Sequence, residues 1–140
     1  MRNEVKRRIG VSTQVHSYSE GVKVRDVVRL HAGAYGVAQN NKLLEAFDLK
    51  NALGSEYAKI SGGQKKRLSL YFALAHNPEV VFLDEPEAGL DVQGLETLLA
   101  QIRVRSDTGL TTIAATHHGL TIEYASDLML LNGLVARILP

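Results

Sequence analysis

Apolar positions along the chain fall into two rhythms, one helical and one extended. After a polar, basic start (Arg2, Lys6, Arg7, Arg8), residues 8–11 form a short apolar run that predicts a strand. Residues 17–21 are polar and predict a loop. Val24, Val27, Val28, Leu30 and Ala34 recur at helical spacing within 22–35, with Gly36 as a stop. Leu43, Leu44 and Phe47 predict a second amphipathic helix over 40–47. Residues 48–59 are polar and broken by Gly54, which suits a short helix between loops. Ser61 and Gln64 fit a capping box, with Ser at the N-cap and Gln at N3. Behind them Leu68, Tyr71, Phe72 and Ala75 make one apolar stripe, and Lys65, Lys66 and Arg67 read as a solvated face away from it. Asn77-Pro78 ends that helix, because proline cannot continue it.

Residues 80–83 are then continuously apolar, the pattern of a central parallel strand buried on both faces, and they stop at Asp84-Glu85-Pro86. Leu95, Leu98, Leu99 and Ile102 predict another helix. A second β-rich run, 111–115, ends at Thr116-His117-His118. A short helix is expected over 120–125. Two apolar runs flanking Asn132-Gly133 predict a terminal hairpin. Helices followed by strand-helix-strand-helix-hairpin argue for an α/β layer joined to a helical portion.

Composition narrows the function classes. A length of 140 residues, 45% of them hydrophobic, supports one core and not two ordinary domains. Sixteen Lys and Arg against 15 Asp and Glu exclude a strongly basic nucleic-acid binder and an acidic solvating tail. Without cysteine there is no disulfide framework, thiolate metal site or catalytic thiol. No signal-type apolar stretch follows the basic start, and no apolar run approaches the ~20 residues needed to span a bilayer. A soluble or peripheral chain is expected.

Four constellations could carry chemistry. Asp84 and Glu85 stand at the carboxyl end of an apolar strand, where α/β sheets gather ligands. One carboxylate there can hold Mg²⁺ and the next can orient or deprotonate a water; both can equally be helix caps. Ser61-Gly62-Gly63-Gln64 opens a helix whose unpaired N–H groups suit an anion, or is simply a capping box. His117 would share the sheet edge of Asp84 and Glu85 if the two strands are neighbours, within reach of a phosphoryl oxygen; otherwise it is a loop histidine. Gln14 could bind Mg²⁺ or orient water, or be an ordinary loop residue. His16, His31, His76 and His118 have no comparable placement.

Together, and in this order, these segments resemble the ATPase subunit of an ABC transporter. Ile60-Ser61-Gly62-Gly63-Gln64 resembles the family signature, with Ile where Leu is commoner. Residues 80–85 resemble Walker B with its catalytic glutamate, and Ala88-Gly89-Leu90-Asp91 the D-loop. Thr116-His117 resembles the switch-histidine motif, and residues 9–14 the entry to the Q-loop. The resemblance implies a P-loop NTPase-like α/β core, partial and with a mostly parallel sheet and C-terminal hairpin, plus a helical subdomain. It divides the chain into a Q-loop strand and loop (1–18), a helical subdomain with the signature (19–77) and a Walker B core (78–140). It implies ATP and Mg²⁺ as cofactors. Asp84 and Gln14 would be metal-associated, and Glu85, His117 and Gln14 catalytic. Ser61, Gly62, Gly63, Gln64 and Asp91 would face nucleotide across a head-to-tail dimer. A second nucleotide-binding domain and a transmembrane permease are the implied partners, with no nucleic acid. The implied location is cytoplasmic, peripheral at the inner face of the membrane.

One element of the pattern is missing. No G-x-x-x-x-G-K-[ST] occurs, and no Lys directly follows a Gly. The backbone cradle and lysine that hold phosphates in this family are therefore expected to come from a partner chain, or from an N-terminal portion that this chain lacks. Glu87 and His118 stand where other residues are commoner. Two other readings compete with this one: a non-catalytic remnant that oligomerises, and a chromosome-maintenance or DNA-repair ATPase. The absence of sustained heptads counts against the last.

Overall fold

A computed structural model describes residues 2–12, 17–116, 127–131 and 134–139, with side chains described for 4–12 and 17–116. Helix α1 (Arg2–Arg8) leads straight into strand β1 (Ile9–Ser12). The basic start gave no sign of that helix. Next come α2 (Val24–Tyr35), α3 (Asn41–Ala46) and two single 3₁₀ turns, then the long α4 (Gly62–Leu74). Strand β2 (Val80–Asp84), helix α5 (Val92–Ser106) and strand β3 (Thr111–Thr116) follow, and β4 (Asp127–Leu131) and β5 (Leu134–Leu139) complete the order. The expected helix over 120–125 lies outside the described residues.

Five strands form one sheet in the order β1-β2-β3-β5-β4. The first three run parallel, with Val11 beside Phe82 and Phe82 beside Ile113. Strand β5 pairs antiparallel with both β3 and β4, and Leu131 sits opposite Leu134, the register of a two-residue hairpin loop. The α/β class, the largely parallel sheet and the terminal hairpin expected from the sequence are all present.

Local signals explain the helix ends. Helix α2 stops at Gly36, whose φ of 65° returns the chain in the left-handed region that glycine enters without strain. The Asn40 side chain caps α3 by accepting from Leu43 N–H. Ser61 and Gln64 make both arms of the capping box at the start of α4.

Helix α4 is far more buried than a single stripe would make it. Leu68, Leu70, Tyr71, Ala73 and Leu74 are at most 1% exposed, and Phe72 is buried. On one side it lies on β1, where the Ser12 and Ser69 hydroxyls meet at 3.0 Å in the interior. On the other it meets the helical lobe. There Phe72 stacks on His31 of α2, and the Tyr71 hydroxyl accepts from Asn40 N–H. Each fully buried leucine contributes about 2 kcal/mol of apolar transfer energy, so this helix ties sheet and lobe into one core.

Among the described residues, the sheet is covered on one face only. Val81, Leu83, Thr112 and Ala114 are buried, whereas Val11 is 50% and Phe82 42% exposed. This corrects the expectation that 80–83 is buried on both faces. Helices α4 and α5 pack on one face, and among the described residues no helix covers the other.

Two predictions arise here. An ideal Cβ on Gly10 would lie 2.0 Å from the Ala73 carbonyl oxygen, a backbone atom of α4 that cannot step aside. Gly10→Ala should therefore destabilise the chain by about 3 kcal/mol, read as a drop in urea midpoint with unchanged slope. The second concerns His76, which is 7% exposed, stacks on Tyr35 at 3.9 Å and places Nε2 3.1 Å from Ile9 O. Burial pushes its pKa below the ordinary value, and the contact with Ile9 opposes the shift. The unfolded chain thus takes up this proton first. Stability is present above the unfolded pKa of about 6.5 and falls as pH drops from there toward the lower folded value. His76→Phe keeps the ring on Tyr35, so its unfolding free energy should lose less between pH 7.5 and pH 5.5 than that of the wild type.

Candidate functional site

The carboxyl ends of β2 and β3 define the site. These strands are parallel neighbours, with Asp84 beside Ala115, so the expected adjacency of the two strand ends holds. Asp84 is exposed and lies in the same alternation as Phe82, on the open face of the sheet. No hydrogen bond among the described residues occupies its carboxylate. Glu85 follows, half-buried, with its backbone at φ 39°. That is the left-handed region, which a long side chain enters only under outside restraint. Its N–H donates to Ala115 O at 2.8 Å, and its carbonyl accepts from Ala88 N–H at 3.0 Å. The strand therefore turns sharply at Glu85 and runs through Pro86 to Asp91.

The start of α4 meets this turn. A Cβ placed on Gly63 would stand 3.3 Å from the Gly89 carbonyl oxygen, so the Ser61–Gln64 segment and the 85–91 turn are in near contact. Ser61 and Gly62 are exposed; Gly63 and Gln64 are half-buried. The side chains of Ser61 and Gln64 are engaged with each other's backbone in the capping box. Asp91 caps α5 by accepting from Gly94 N–H at 2.8 Å, and it also accepts from Arg67 at 2.9 and 3.0 Å. The Gly94 bond first, and then the guanidinium, hold the Asp91 carboxyl below the usual carboxylate range.

The basic triplet does not form a solvated face. Arg67 is largely covered and bridges Asp91 of the turn and Asp48 beyond α3. Lys66 is buried, and its Nζ donates to the carbonyls of Asp84 at 3.2 Å and Glu85 at 2.8 Å. Burial lowers its pKa, while the nearby Glu87, Asp84 and Glu85 carboxylates push it back up. Lys65 is half-buried, over the Tyr57 ring at 5.4 Å. Glu87 accepts from the Thr116 hydroxyl, which joins the turn to the end of β3. Its other carboxylate oxygen is buried, with no hydrogen-bond partner among the described residues. Lys66, Thr116 and Glu87 were not picked out as site residues in the sequence, because their partners lie 18 to 29 positions away.

Gln14 and His117 lie outside the described residues. The chain direction fixes where they attach: Gln14 is two positions beyond β1, and His117 directly follows Thr116. Among the described residues no group of three His, Asp or Glu could hold a metal ion unaided. Asp84, a hard oxygen donor open to the strand-end edge, fits Mg²⁺ of the kind that takes one carboxylate and completes its shell with phosphate and water. No described helix is long and apolar enough to cross a membrane.

Known proteins match this chain along most of its length. The family described as "ABC transporter" matches residues 1–88. A Nod factor export ATP-binding protein of Burkholderia thailandensis is 34% identical over 80% of this chain and 39% of its own length. An energy-coupling factor transporter ATP-binding protein of Mesomycoplasma hyopneumoniae is 33% identical, over 82% of this chain and 41% of its own. The chain thus spans about two fifths of the length of these relatives. Among solved structures, the ATP-binding subunit of an ABC transporter superposes with a TM-score of 0.79 at 26% identity, over 87% of this chain and 53% of that one. A dimeric ATP-binding cassette bound to ADP and Pi shares the fold, with a TM-score of 0.69 at 23% identity over 82% of this chain and 55% of that one. With the family model matching residues 1–88, well over half of its length, the chain belongs to the ABC transporter family.

Proposed function

We propose that this chain supplies the hydrolytic half of a composite ATPase site that powers an ABC-type transporter, and that the phosphate cradle comes from a partner chain or segment. The carrying observation is the pairing of an open Asp84 carboxylate with a restrained Glu85 at one strand end, in a sequence without a P-loop. Asp84 would hold Mg²⁺, and Gln14, two positions beyond β1 in sequence, would serve the same ion. Bound there, Mg²⁺ would neutralise phosphate charge and orient the phosphoryl group for in-line attack. Glu85 would polarise the attacking water by accepting its hydrogen bond. His117 would donate to a phosphoryl oxygen where charge develops.

Gly62 and Gly63 would offer their N–H groups, beside Ser61 at the α4 start, to a nucleotide held by a second nucleotide-binding domain. Gln64 caps that start, and Asp91 would lie at the same interface. The implied permease would contact the helical portion, placing the chain peripherally at the inner face of a membrane. The relatives' printed names, an export ATP-binding protein and an energy-coupling factor ATP-binding protein, support a transport role.

The open sheet face supports a second reading, a non-catalytic module that self-associates through Val11 and Phe82. Light scattering separates the two: a monomer at micromolar concentration counts against self-association.

Two outcomes are expected. The isolated chain should give no Mg-ATP heat by isothermal titration at ligand concentrations where complete subunits saturate; tight binding would sink the composite-site reading. Mixed with a P-loop-bearing ABC ATP-binding subunit, the chain should raise phosphate release. Glu85→Gln should remove at least about 100-fold of that rate while leaving the association of the two chains intact.

A further inference from the structure

Glu85 holds a left-handed backbone that its residue type does not favour, so something outside it must hold it there. Among the described residues, the other two non-glycine residues with positive φ are Asp48 and Asn77, types that visit this region readily. At Glu85 the restraint includes one hydrogen bond to β3, one to Ala88, and two from a single side chain of another element. Lys66 Nζ reaches the carbonyl of Glu85 at 2.8 Å and that of Asp84 at 3.2 Å. Two successive carbonyls aimed at one ammonium fix the peptide between them, and that peptide sets the direction in which the Glu85 side chain leaves the strand. Lys66 is itself buried among residues of the core helix, so its stem has little freedom. The next residue, Arg67, grips Asp91 at the far end of the same turn. One helical turn of α4 thus holds both ends of the 84–91 segment, five and six residues from Ser61.

We propose that Lys66 is a positioning residue, which fixes the Glu85 backbone and ties the direction of the Glu85 carboxylate to the helix that begins at Ser61. An anion engaging the α4 start would then act on the water-polarising group through a rigid helix and a doubly bonded ammonium. This last step rests on the composite-site reading; the positioning itself does not.

Amide hydrogen exchange on the ¹⁵N-labelled chain tests it. Lys66→Met keeps the stem length and removes the donor. The Glu85 amide should exchange about tenfold faster in this variant, while the amides of Leu68–Leu74 and Val81 keep their wild-type rates. Lys66→Gln, which retains a donor, should recover part of the protection. Unchanged exchange at Glu85 in the Met variant would overturn the proposal, as would equal loss in Met and Gln. Should the Met variant not fold, the wild type decides. The Lys66 ammonium protons should exchange more slowly than those of Lys42, which is exposed, and equal rates would overturn it. In an assembly that hydrolyses ATP, Lys66→Gln should lower kcat with KM unchanged; a rise in KM alone would overturn the link to Glu85. Absence of hydrolysis with the wild type would strike the composite-site reading and leave the exchange result standing.

Discussion

The close seat of α4 on β1 is the constraint from which the rest of the structure follows. With no side chain on Gly10, the helix backbone comes within van der Waals reach of the strand, at a distance where even a methyl group has no room. A helix seated that low is enclosed by the sheet below and the lobe above. That accounts for a buried set wide enough to include Leu68, Leu70, Tyr71, Phe72 and Leu74. Its axis cannot shift without opening the core. Everything attached to its first turns inherits that fixity: the capping box at Ser61, the Lys66 ammonium under the end of β2, and the Arg67 guanidinium on Asp91.

The two faces of the sheet divide the chemistry from the support. Residues of one alternation, among them Gly10, Ser12, Val81, Leu83 and Ala114, face the helices and are buried. Those of the other, Val11, Phe82 and Asp84, face outward. Parallel sheets ordinarily have both faces covered, because crossover helices lie on each. An exposed Phe82 two residues before an exposed Asp84 places an apolar platform directly beside the carboxylate. A segment resting on that platform would be held next to Asp84 whatever else it contacts.

Features written into neighbouring residues were legible in the sequence. Ser61 with Gln64, Gly36 after a helical stripe, and Asn132-Gly133 between apolar runs each encode a conformation within a few positions. So does the abrupt end of an apolar strand at Asp84. Features that depend on a distant partner were not. Lys65, Lys66 and Arg67 are three cations in a row, and nothing local distinguishes the one that is buried under carbonyls 18 and 19 positions away. Phe82 looked like a doubly buried residue because its neighbours are apolar, but burial of the second face depends on another layer of structure. His76 gave no signal because its partners, Ile9 and Tyr35, come from β1 and α2. Glu87 stands out in the sequence only as a residue where another is commoner, although its bond to Thr116 joins the turn to the strand that leads to His117.

A buried lysine is costly, and its retention here has a physical logic. Desolvation disfavours the ammonium, and the surroundings that offset it are two peptide carbonyls together with the carboxylates of Glu87, Asp84 and Glu85. An apolar residue at position 66 would avoid that cost. It would also leave the Asp84 and Glu85 carbonyls without this donor at a point where the backbone is already strained. The charge is therefore explained by what the turn needs rather than by what the core prefers. Two successive carbonyls at a strained backbone share one donor, and the carboxylates of Glu87, Asp84 and Glu85 offset part of the desolvation of the ammonium that supplies it.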